Sequence, residues 1–468
     1  PRPSPSASPP SAPVPGADFS AAADEEGLES FPRYDLAWEV DPTSGLVAGQ
    51  MIVRYPWAGP EPLSDLVLRL FPNAPAWGGT LTVTQAQING HPVRSTLTVE
   101  GTALRLSLPA PLPPGQSVTA TTAFTLQLPP LGVEGNGQLG YGAGRVALAE
   151  AYPMVPCRGA EGWWEVLGPA HGDVTCNPVA FYRVQITAPA TMTPLTSGRC
   201  DPPLSLGGGM QRWLCTAGPV RDFAAFLGAD YQVVTTSVEG VTVRSASLPG
   251  DEAGGREALD DAAYALALFQ RRFGPYPYAE LDVVEGPLDR AGMEYPGLVL
   301  IQAAYYGEKR EGLEPIVVHE VAHQWWYGLV GNDQVNAPWL DEALAEFSTL
   351  LYYEDRYGEE EAGLIEESWR QSYEAVVAAG QDRPVGLPAD AYPQELYGPL
   401  VYRKGALFLV ALRETIGDDA FEALLRQYLV QHRYGLATPE DFRTLIEGRG
   451  GPAAGDLYEA WILGTRHP

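Results

Sequence analysis

The sequence is short of basic residues: 30 Lys and Arg stand against 58 Asp and Glu in 468 residues, a formal net charge of −28. Nucleic acids and anionic membrane surfaces bind basic patches, so neither is expected as a partner. The chain also lacks an apolar run long enough to span a bilayer. The remaining composition, 45% apolar, is that of a globular protein, and the length is enough for two to three domains.

Cysteine is scarce as well, and its four copies lie in one stretch: Cys157, Cys176, Cys200 and Cys215. None belongs to a CxxC pair and no His stands at finger spacing, which argues against a zinc finger. An even number in a β-rich region favours two disulfides and an oxidising compartment. Pairing of sequence neighbours would join Cys157 to Cys176 and Cys200 to Cys215. Three pairings are possible, and four reduced, buried thiols are the alternative.

The first 29 residues are rich in Pro and Ser and begin PRPSPSASPPSAPVPG. Such a segment cannot bury a core and is typical of a disordered, extended tether. We interpret residues 1–29 as the stalk of an exported protein, which predicts an extracellular or cell-surface location. A lipid anchor upstream of Pro1 is compatible with this interpretation.

Two domains are predicted after the tether, in an α+β multidomain fold. Residues 30–229 contain short β-rich runs broken by Gly and Pro, which predicts an all-β, saddle-like or sandwich-like domain. Ile88-Asn89-Gly90-His91 is a hairpin turn signal within it. Residues 230–468 change to helical spacing and form a mainly helical domain with a small sheet. Its predicted helices are Arg256–Phe273, Glu314–Leu329, Trp339–Tyr357, Glu359–Ala378, Arg403–Ile416, Asp418–Gln431, Thr438–Glu447 and Ala453–Leu463.

The predicted helix 314–329 carries the run His319-Glu320-Val321-Ala322-His323. Residues four apart lie on one face of a helix, so both imidazoles can reach one tetrahedral zinc ion. Glu320 projects beside that face and is placed to take a proton from water activated by the metal. The pattern therefore predicts a catalytic zinc site with one ion per chain, rather than two packing histidines.

A third ligand is needed, and the next predicted helix offers acidic candidates. Glu342 follows His323 after eighteen intervening residues, and two His with one Glu is the ligand set of zinc peptidases such as thermolysin. Glu346 lies one turn further along the same helix and competes with Glu342 for this role.

These residues resemble a known family. HEVAHQWWYGLVGND followed by PWLDEALAEF is similar to the zinc site of the aminopeptidase N family of gluzincins. Ala291-Gly292-Met293-Glu294-Tyr295 resembles its GxMEN exopeptidase motif, with Tyr295 in place of Asn. Val401-Tyr402-Arg403-Lys404-Gly405 resembles its YxKG segment. The resemblance covers residues 31–468 and is strongest over 264–410.

The resemblance implies a role for each matching residue. His319, His323 and Glu342 would bind zinc, which favours Glu342 over Glu346 as the third ligand. Glu320 would be the general base, and Tyr402 would donate its hydroxyl to the oxyanion. Glu294 would bind the free α-ammonium of the substrate, while Gly292 and Met293 would align the peptide backbone.

The implied function is a zinc-dependent aminopeptidase in a thermolysin-like catalytic domain, acting on peptides with a free N-terminus. A monomer is the expected oligomeric state. One alternative is a secreted gluzincin endopeptidase, which would cut acetylated peptides. The other is a non-catalytic cell-surface binding relative, which would hold zinc without turning over peptides.

Overall fold

A computed structural model describes residues 30–132, 136–159, 161–169, 171–173 and 175–464, so the predicted tether lies outside the described residues. The chain divides into two compact units. The first is drawn from Pro1–Val166, Asn177–Tyr231 and Gly286–Asp289, and the second from Leu167–Cys176, Gln232–Glu285 and Arg290–Pro468.

The first unit is β-rich. Its main sheet has the order β15-β17-β13-β1-β2-β8-β4-β5, with β16 paired to β17, and three smaller sheets accompany it. The alternation of buried and more exposed residues along β2 shows why the strand forms, since one face packs on the core. The strands are β1 (Arg33–Asp41), β2 (Leu46–Pro56), β3 (Leu63–Arg69), β4 (Thr80–Ile88), β5 (His91–Pro92), β6 (Ser95–Thr98), β7 (Ala103–Leu112), β8 (Ser117–Gln127), β9 (Leu139–Gly142), β10 (Arg145–Leu148), β11 (Arg158–Gly159), β12 (Gly162–Trp163), β13 (Ala180–Pro189), β14 (Thr193–Thr196), β15 (Arg199–Cys200), β16 (Leu204–Gly207), β17 (Met210–Val220) and β18 (Ala225–Gly228).

The hairpin signal at residues 88–91 is confirmed. Ile88 pairs with His91 across the β4–β5 turn, and Asn89 and Gly90 both adopt positive φ, 50° and 79°. Two central residues with positive φ are the signature of the two-residue turn that Asn-Gly favours.

The second unit combines a five-stranded sheet with the helices. The sheet order is β19-β20-β21-β23-β22, and α1 connects the parallel strands β20 and β21. The strands are β19 (Gln232–Val238), β20 (Val241–Ser247), β21 (Glu280–Gly286), β22 (Gly292–Met293) and β23 (Leu298–Gln302). The helices are α1 (Glu252–Phe273), α2 (Leu313–Ala322), α3 (Trp339–Tyr357), α4 (Glu359–Ala378), α5 (Gln394–Tyr397), α6 (Gly405–Ile416), α7 (Asp418–His432) and α8 (Pro439–Tyr458). The predicted fold class, a β-rich N-terminal domain followed by a mainly helical region, is confirmed.

One predicted helix is too long. The segment expected to be helical through Leu329 leaves the α-helix after Ala322. Beyond that point the N–H of Gly328 reaches back five residues to the carbonyl of His323, and Tyr327 adopts a φ of 102°. These wide turns end α2 at the second histidine, which the apolar pattern of the following residues could not reveal.

Further helix boundaries differ from the prediction, including the start of α1, which is Glu252 and not Arg256. A π-helix, Gly398–Lys404, precedes α6, where a helix was expected from Arg403. The last two predicted helices run together as α8, interrupted by non-helical Gly451 (φ 63°) before Pro452. The Thr438 and Asp441 capping box that begins α8 is present as the sequence indicates.

Of the two expected disulfides, Cys200–Cys215 is present, whereas Cys157 and Cys176 are not joined to each other. Antiparallel pairing of β15 with β17 places Cys200 directly opposite Cys215, so the bond needs no rearrangement of the backbone. No such strand pairing within the described residues sets Cys157 opposite another cysteine. No described helix has both the length and the apolar character needed to cross a bilayer.

Candidate active site

Three candidate ligand atoms converge in the second unit. His319 lies in the last turn of α2, His323 directly follows that helix, and Glu342 lies in the first turn of α3. The two histidine Nε2 atoms are 3.0 Å apart. Glu342 Oε2 lies 3.1 Å from Nε2 of His319 and 3.3 Å from Nε2 of His323. All three side chains are buried, so the structure brings the three predicted ligands together.

The opposite nitrogen of each imidazole fixes which atom faces this point. His323 Nδ1 lies 2.8 Å from the carbonyl oxygen of Trp326, which can only accept, so Nδ1 carries the proton. His319 Nδ1 lies 3.2 Å from Glu346 Oε2, which is an acceptor when ionised. Both Nε2 lone pairs are therefore directed at the centre of the cluster, as metal binding requires.

The spacing of the three atoms fits a tetrahedral zinc ion. Zinc–nitrogen and zinc–oxygen bonds of about 2.0–2.1 Å place tetrahedral ligand atoms about 3.3–3.4 Å from one another. The three separations here, 3.0, 3.1 and 3.3 Å, are at or slightly below that value. Three protein ligands leave the fourth position open, which is the arrangement of a catalytic zinc site.

Glu346 does not join the cluster. Its carboxylate contacts the outer nitrogen of His319, on the side away from Glu342. The structure therefore places it where it orients a histidine, and the choice between the two acidic residues of α3 falls to Glu342 on geometry.

The electrostatics of the cluster favour a cation. Burial lowers the pKa of His319, but hydrogen bonds to Glu342 and Glu346 outweigh burial and raise it to about 10. Burial would raise the pKa of Glu342, yet hydrogen bonds from His319 and His323 hold it well below its usual range. The imidazoles and the Glu342 carboxylate thus stabilise one another's charged forms, and the ionised carboxylate is the form that binds a divalent ion.

Glu320 lies beside the cluster, and its carboxylate has few hydrogen-bond partners there. It is buried, and its Oε2 accepts no hydrogen bond from the described part of the chain. Burial raises the pKa of Glu320 to about 8, while the charges of His319 and His323 oppose the shift. A buried carboxylate with an unused oxygen is well suited to exchange protons near neutral pH.

Glu294 is held close to Glu320. One carboxylate oxygen from each, together with a nitrogen of His323, lie within 4.8 Å of one another. Gln334 Nε2 donates to Glu294 Oε1 at 2.9 Å and to Asp341 Oδ2 at 2.9 Å, so a neutral amide bridges the two buried carboxylates.

The strand that leads to Glu294, β22, is an edge strand of its sheet. β22 contains Gly292 and Met293 and pairs with β23 on one side, with Gly292 opposite Ile301. An ideal Cβ at Gly292 would lie only 2.1 Å from Oε1 of Glu320, so no side chain fits there. The strand backbone therefore passes directly beside the buried carboxylate.

Tyr402 comes from the π-helix before α6. Its hydroxyl donates to Glu342 Oε1 at 2.5 Å, and its ring stacks on His319 with centroids 5.6 Å apart. Burial and the charge of Glu342 raise the pKa of Tyr402 well above 10, so the hydroxyl stays protonated. A π-helical turn widens the backbone locally and is frequently found at functional sites.

Sequence reasoning missed three residues of this neighbourhood. Gln334 lies in the loop between α2 and α3, where the sequence predicts no site residue. Asp173 and Arg290 form an ion pair at 3.2 Å, and burial together with the charge of Glu294 raises the pKa of Asp173 well above 3.8. Asp173 is more than a hundred residues from the motifs in the chain, and no local pattern marks it.

Comparison with known proteins finds similarity in the part of the chain that contains this site. Residues 257–461 match the Peptidase family M1 domain. The chain is 27% identical to Aminopeptidase M1-A of Oryza sativa subsp. japonica over 259 residues, which is 52% of this chain and 29% of that relative. It is 30% identical to Endoplasmic reticulum aminopeptidase 1 of Homo sapiens over 232 residues, covering 46% of this chain and 24% of that one. The matched region thus spans under a third of these curated relatives.

A solved structure matches over nearly the whole chain. The M1 zinc metallopeptidase of Deinococcus radiodurans has a TM-score of 0.73 at 24% identity, with 94% of this chain and 95% of that chain covered. At this identity the likeness shows the fold alone. Over residues 257–461 the chain is therefore similar to the Peptidase family M1 domain, and the candidate site residues between Gly292 and Tyr402 all lie within that match.

Proposed function

We propose that this protein is a zinc-dependent aminopeptidase that removes N-terminal residues from peptides. The observation that carries the proposal is the convergence of three buried ligand atoms from His319, His323 and Glu342 beside two further buried carboxylates, those of Glu320 and Glu294. A zinc ion held there would supply a Lewis acid that polarises the scissile carbonyl and activates water.

Glu320 is the proposed general base. Its unused Oε2 accepts a proton from the attacking water, and its pKa of about 8 makes the same proton available for the leaving amine. A group that both takes and returns a proton works best with a pKa near the working pH. The peptide bond is then broken by addition of water, with one proton ending on the new amine.

Tyr402 is the proposed donor to the oxyanion that develops on the scissile carbonyl. Its hydroxyl remains protonated because of its raised pKa, and it lies against a zinc ligand rather than in solvent. Preorganised donors of this kind act without reorganisation at the moment of reaction.

Glu294 is the proposed receptor for the free α-ammonium group. One oxygen of this carboxylate lies within 4.8 Å of an oxygen of the proposed general base Glu320. An amine bound to Glu294 would therefore place the first peptide bond, whose carbonyl carbon is about 2.5 Å from the amine nitrogen, beside Glu320. A charge-assisted bond forms only with an unblocked amine, so cleavage is limited to the first residue. Gly292 and Met293, on the final strand of the sheet, are proposed to align the substrate backbone by strand pairing.

The experiment compares a fluorogenic peptide with a free N-terminus and its acetylated counterpart on the intact chain, Glu320→Gln and Glu294→Ala. We expect only the free peptide to be cleaved. Glu320→Gln should be inactive with zinc still bound, and Glu294→Ala should lose activity mainly through KM. Equal cleavage of both peptides would point instead to an endopeptidase. Zinc binding without cleavage across a broad peptide panel would point to a binding relative.

The wider biology is proposed on the same terms. We propose an exported protein, because the Cys200–Cys215 disulfide is typical of oxidising compartments. We also keep the proposed division into a tether over 1–29, a β domain over 30–229 and a zinc peptidase domain over 230–468, acting as a monomer. Fractionation of the source cells and size-exclusion chromatography test the location and the oligomeric state.

A further inference from the structure

We propose that Gln334 is the positioning residue for Glu294 and so controls how strongly the enzyme prefers a free amino terminus. The inference rests on the proposed function and deepens it. Gln334 is 1% exposed, and its Nε2 donates to Glu294 Oε1 at 2.9 Å. The second hydrogen on the same nitrogen goes to Asp341 Oδ2, also at 2.9 Å.

The orientation of the Gln334 side-chain amide is fixed by the hydrogen bond that its Oε1 accepts. Thr175 Oγ1 donates to Gln334 Oε1 at 2.8 Å and also lies 2.7 Å from the hydroxyl of Tyr327. A threonine hydroxyl has one hydrogen, so Tyr327 must be the donor in the second contact. The relay from Tyr327 through Thr175 keeps the carbonyl oxygen of Gln334 away from the carboxylates. A flipped amide would set that oxygen against two acidic groups.

A neutral amide suits this position better than a basic side chain. Lysine or arginine would also hold Glu294, but its positive charge would neutralise the carboxylate that the substrate ammonium must find. Gln334 restrains the carboxylate and leaves its charge available. This restraint favours substrate binding, because an unrestrained glutamate side chain would lose conformational entropy each time a substrate binds.

A second contact secures the backbone beside Glu294. Gln324 Nε2 donates to the carbonyl of Tyr295 at 3.1 Å, and its Oε1 accepts from the N–H of Gly297 at 2.8 Å. Tyr295 occupies the position where the family motif has Asn, and the chain holds this segment through glutamines from outside the motif. The side chain of Glu294 is then the part that depends on Gln334.

The test uses a matched pair of zinc-chelating inhibitors, an amino acid hydroxamate and the same hydroxamate without its amine. The ratio of their inhibition constants measures recognition of the ammonium and cancels losses common to both. Gln334→Met keeps the volume and removes the donor, and we expect it to lower the ratio by about tenfold or more. Thr175→Val, which only frees the amide to rotate, should lower the ratio by a smaller factor and serves if Gln334→Met fails to fold.

The control and the double variant decide whether Gln334 acts through Glu294. Asn332→Ala removes a buried amide of the same loop, one that donates to Asp341 Oδ1 and the carbonyl of Ala337, and should leave the ratio nearly unchanged. Gln334→Met combined with Glu294→Ala should match Glu294→Ala alone. An unchanged ratio in Gln334→Met, an equal fall in Asn332→Ala, or additive losses in the double variant would each overturn the positioning role while leaving the aminopeptidase assignment intact. If the two hydroxamates inhibit the wild type equally well, the protein does not recognise the free amine, and the proposed aminopeptidase function is contradicted.

Discussion

At Gly292 the chain has no space for even a methyl group, and the obstacle is the carboxylate of Glu320 rather than backbone. We predict that Gly292→Ala lowers kcat at least tenfold with little loss of stability. The end of a glutamate side chain can move aside cheaply, but it then leaves its working position. Steady-state kinetics and thermal unfolding of the variant check this, with Met293→Leu as the neighbouring control. A variant of normal activity would show that Glu320 need not stay where the structure has it.

Tyr402 offers a cleaner substitution because only one oxygen is removed. We predict that Tyr402→Phe lowers kcat by about 10²–10³, the usual cost of losing one oxyanion donor, with KM nearly unchanged. Zinc content measured on the purified variant is the control, since Tyr402 also donates to Glu342. If activity falls only in proportion to lost zinc, the hydroxyl supports the metal site and is not a donor to the substrate.

The sequence indicates a candidate site best where the arrangement is local. The helix itself brings the two histidines of the HExxH run together, so their spacing alone predicts that their side chains lie close to each other. Gln334 and Asp173 were not predictable, because each enters the site through loop geometry and no periodic pattern governs a loop. Glu346 was ambiguous for the same reason. One turn along α3 separates it from Glu342, and only tertiary packing decides which carboxylate faces the metal.

Three helices of the second unit are joined by a buried ionic cluster. Asp261 of α1 accepts from Arg356 of α3 at 2.9 Å, and Glu314 of α2 lies 3.4 Å from the same guanidinium nitrogen. Burial raises the pKa of Asp261 to about 7, with Glu314 adding to the shift and Arg356 opposing it. The two carboxyl groups therefore share one guanidinium group, which cannot neutralise both of them when both are ionised.

The raised pKa gives a pH-dependent stability of definite sign. Folded protein holds the Asp261 proton up to about pH 7, whereas the unfolded chain releases it near its ordinary value of 3.8. Between these two pH values the native protein binds more protons than the unfolded chain does. The contribution of Asp261 to the free energy of unfolding therefore falls as the pH rises from about 4 to about 7. We predict that the free energy of unfolding of Asp261→Asn, relative to that of the wild type, rises by about 2 kcal/mol between pH 5 and pH 8. Urea unfolding at each pH measures this difference. A difference that stays constant with pH would refute the shift.

Close packing of α3 on α6 depends on a glycine. A Cβ at Gly405 would lie 2.6 Å from Cβ of Ala343, next to the zinc ligand Glu342. We predict that Gly405→Ala destabilises the protein by about 1–3 kcal/mol, because neither atom can swing away. Gly448→Ala is the matched control, since that helical glycine has nothing within 4 Å of its Cβ position. The control should gain about 0.5–1 kcal/mol through helix propensity.

Helix and strand boundaries were predictable to the extent that a punctuating residue marks them. α3 and α4 are bounded by Gly358 and matched the expected ranges, as did the capping box of α8. The early end of α2 was not marked, because Trp325 and Trp326 continue an apolar pattern although the regular helix has ended. The N–H of Trp325 bonds three residues back, to Ala322, and the N–H of Gly328 bonds five residues back, to His323. Hydrophobic periodicity reports burial, and the two tryptophans stay buried whether or not they are α-helical.

For the molecule as a whole, the strongest expected dependence is on the metal. The proposed ligands His319, His323 and Glu342 join the end of α2 to the start of α3, so zinc that binds them only in the folded state would add directly to stability. We predict that chelation lowers Tm by several degrees and that zinc, added back after the chelator is removed, restores it. His319→Ala should show little response to either treatment. A chelator-insensitive Tm in the zinc-loaded wild type would contradict this role.

The three proposed zinc ligands also share a short span of chain, since His319 and Glu342 are only 23 positions apart. Closing so short a loop costs little entropy, and such contacts form early in folding. We therefore expect that a chain which has formed only α2, its following turns and α3 can already bind the metal, before the sheet and the later helices are complete. Zinc would then act as a nucleation aid during synthesis, and the rate of refolding, not only its end point, would depend on the metal supply of the compartment.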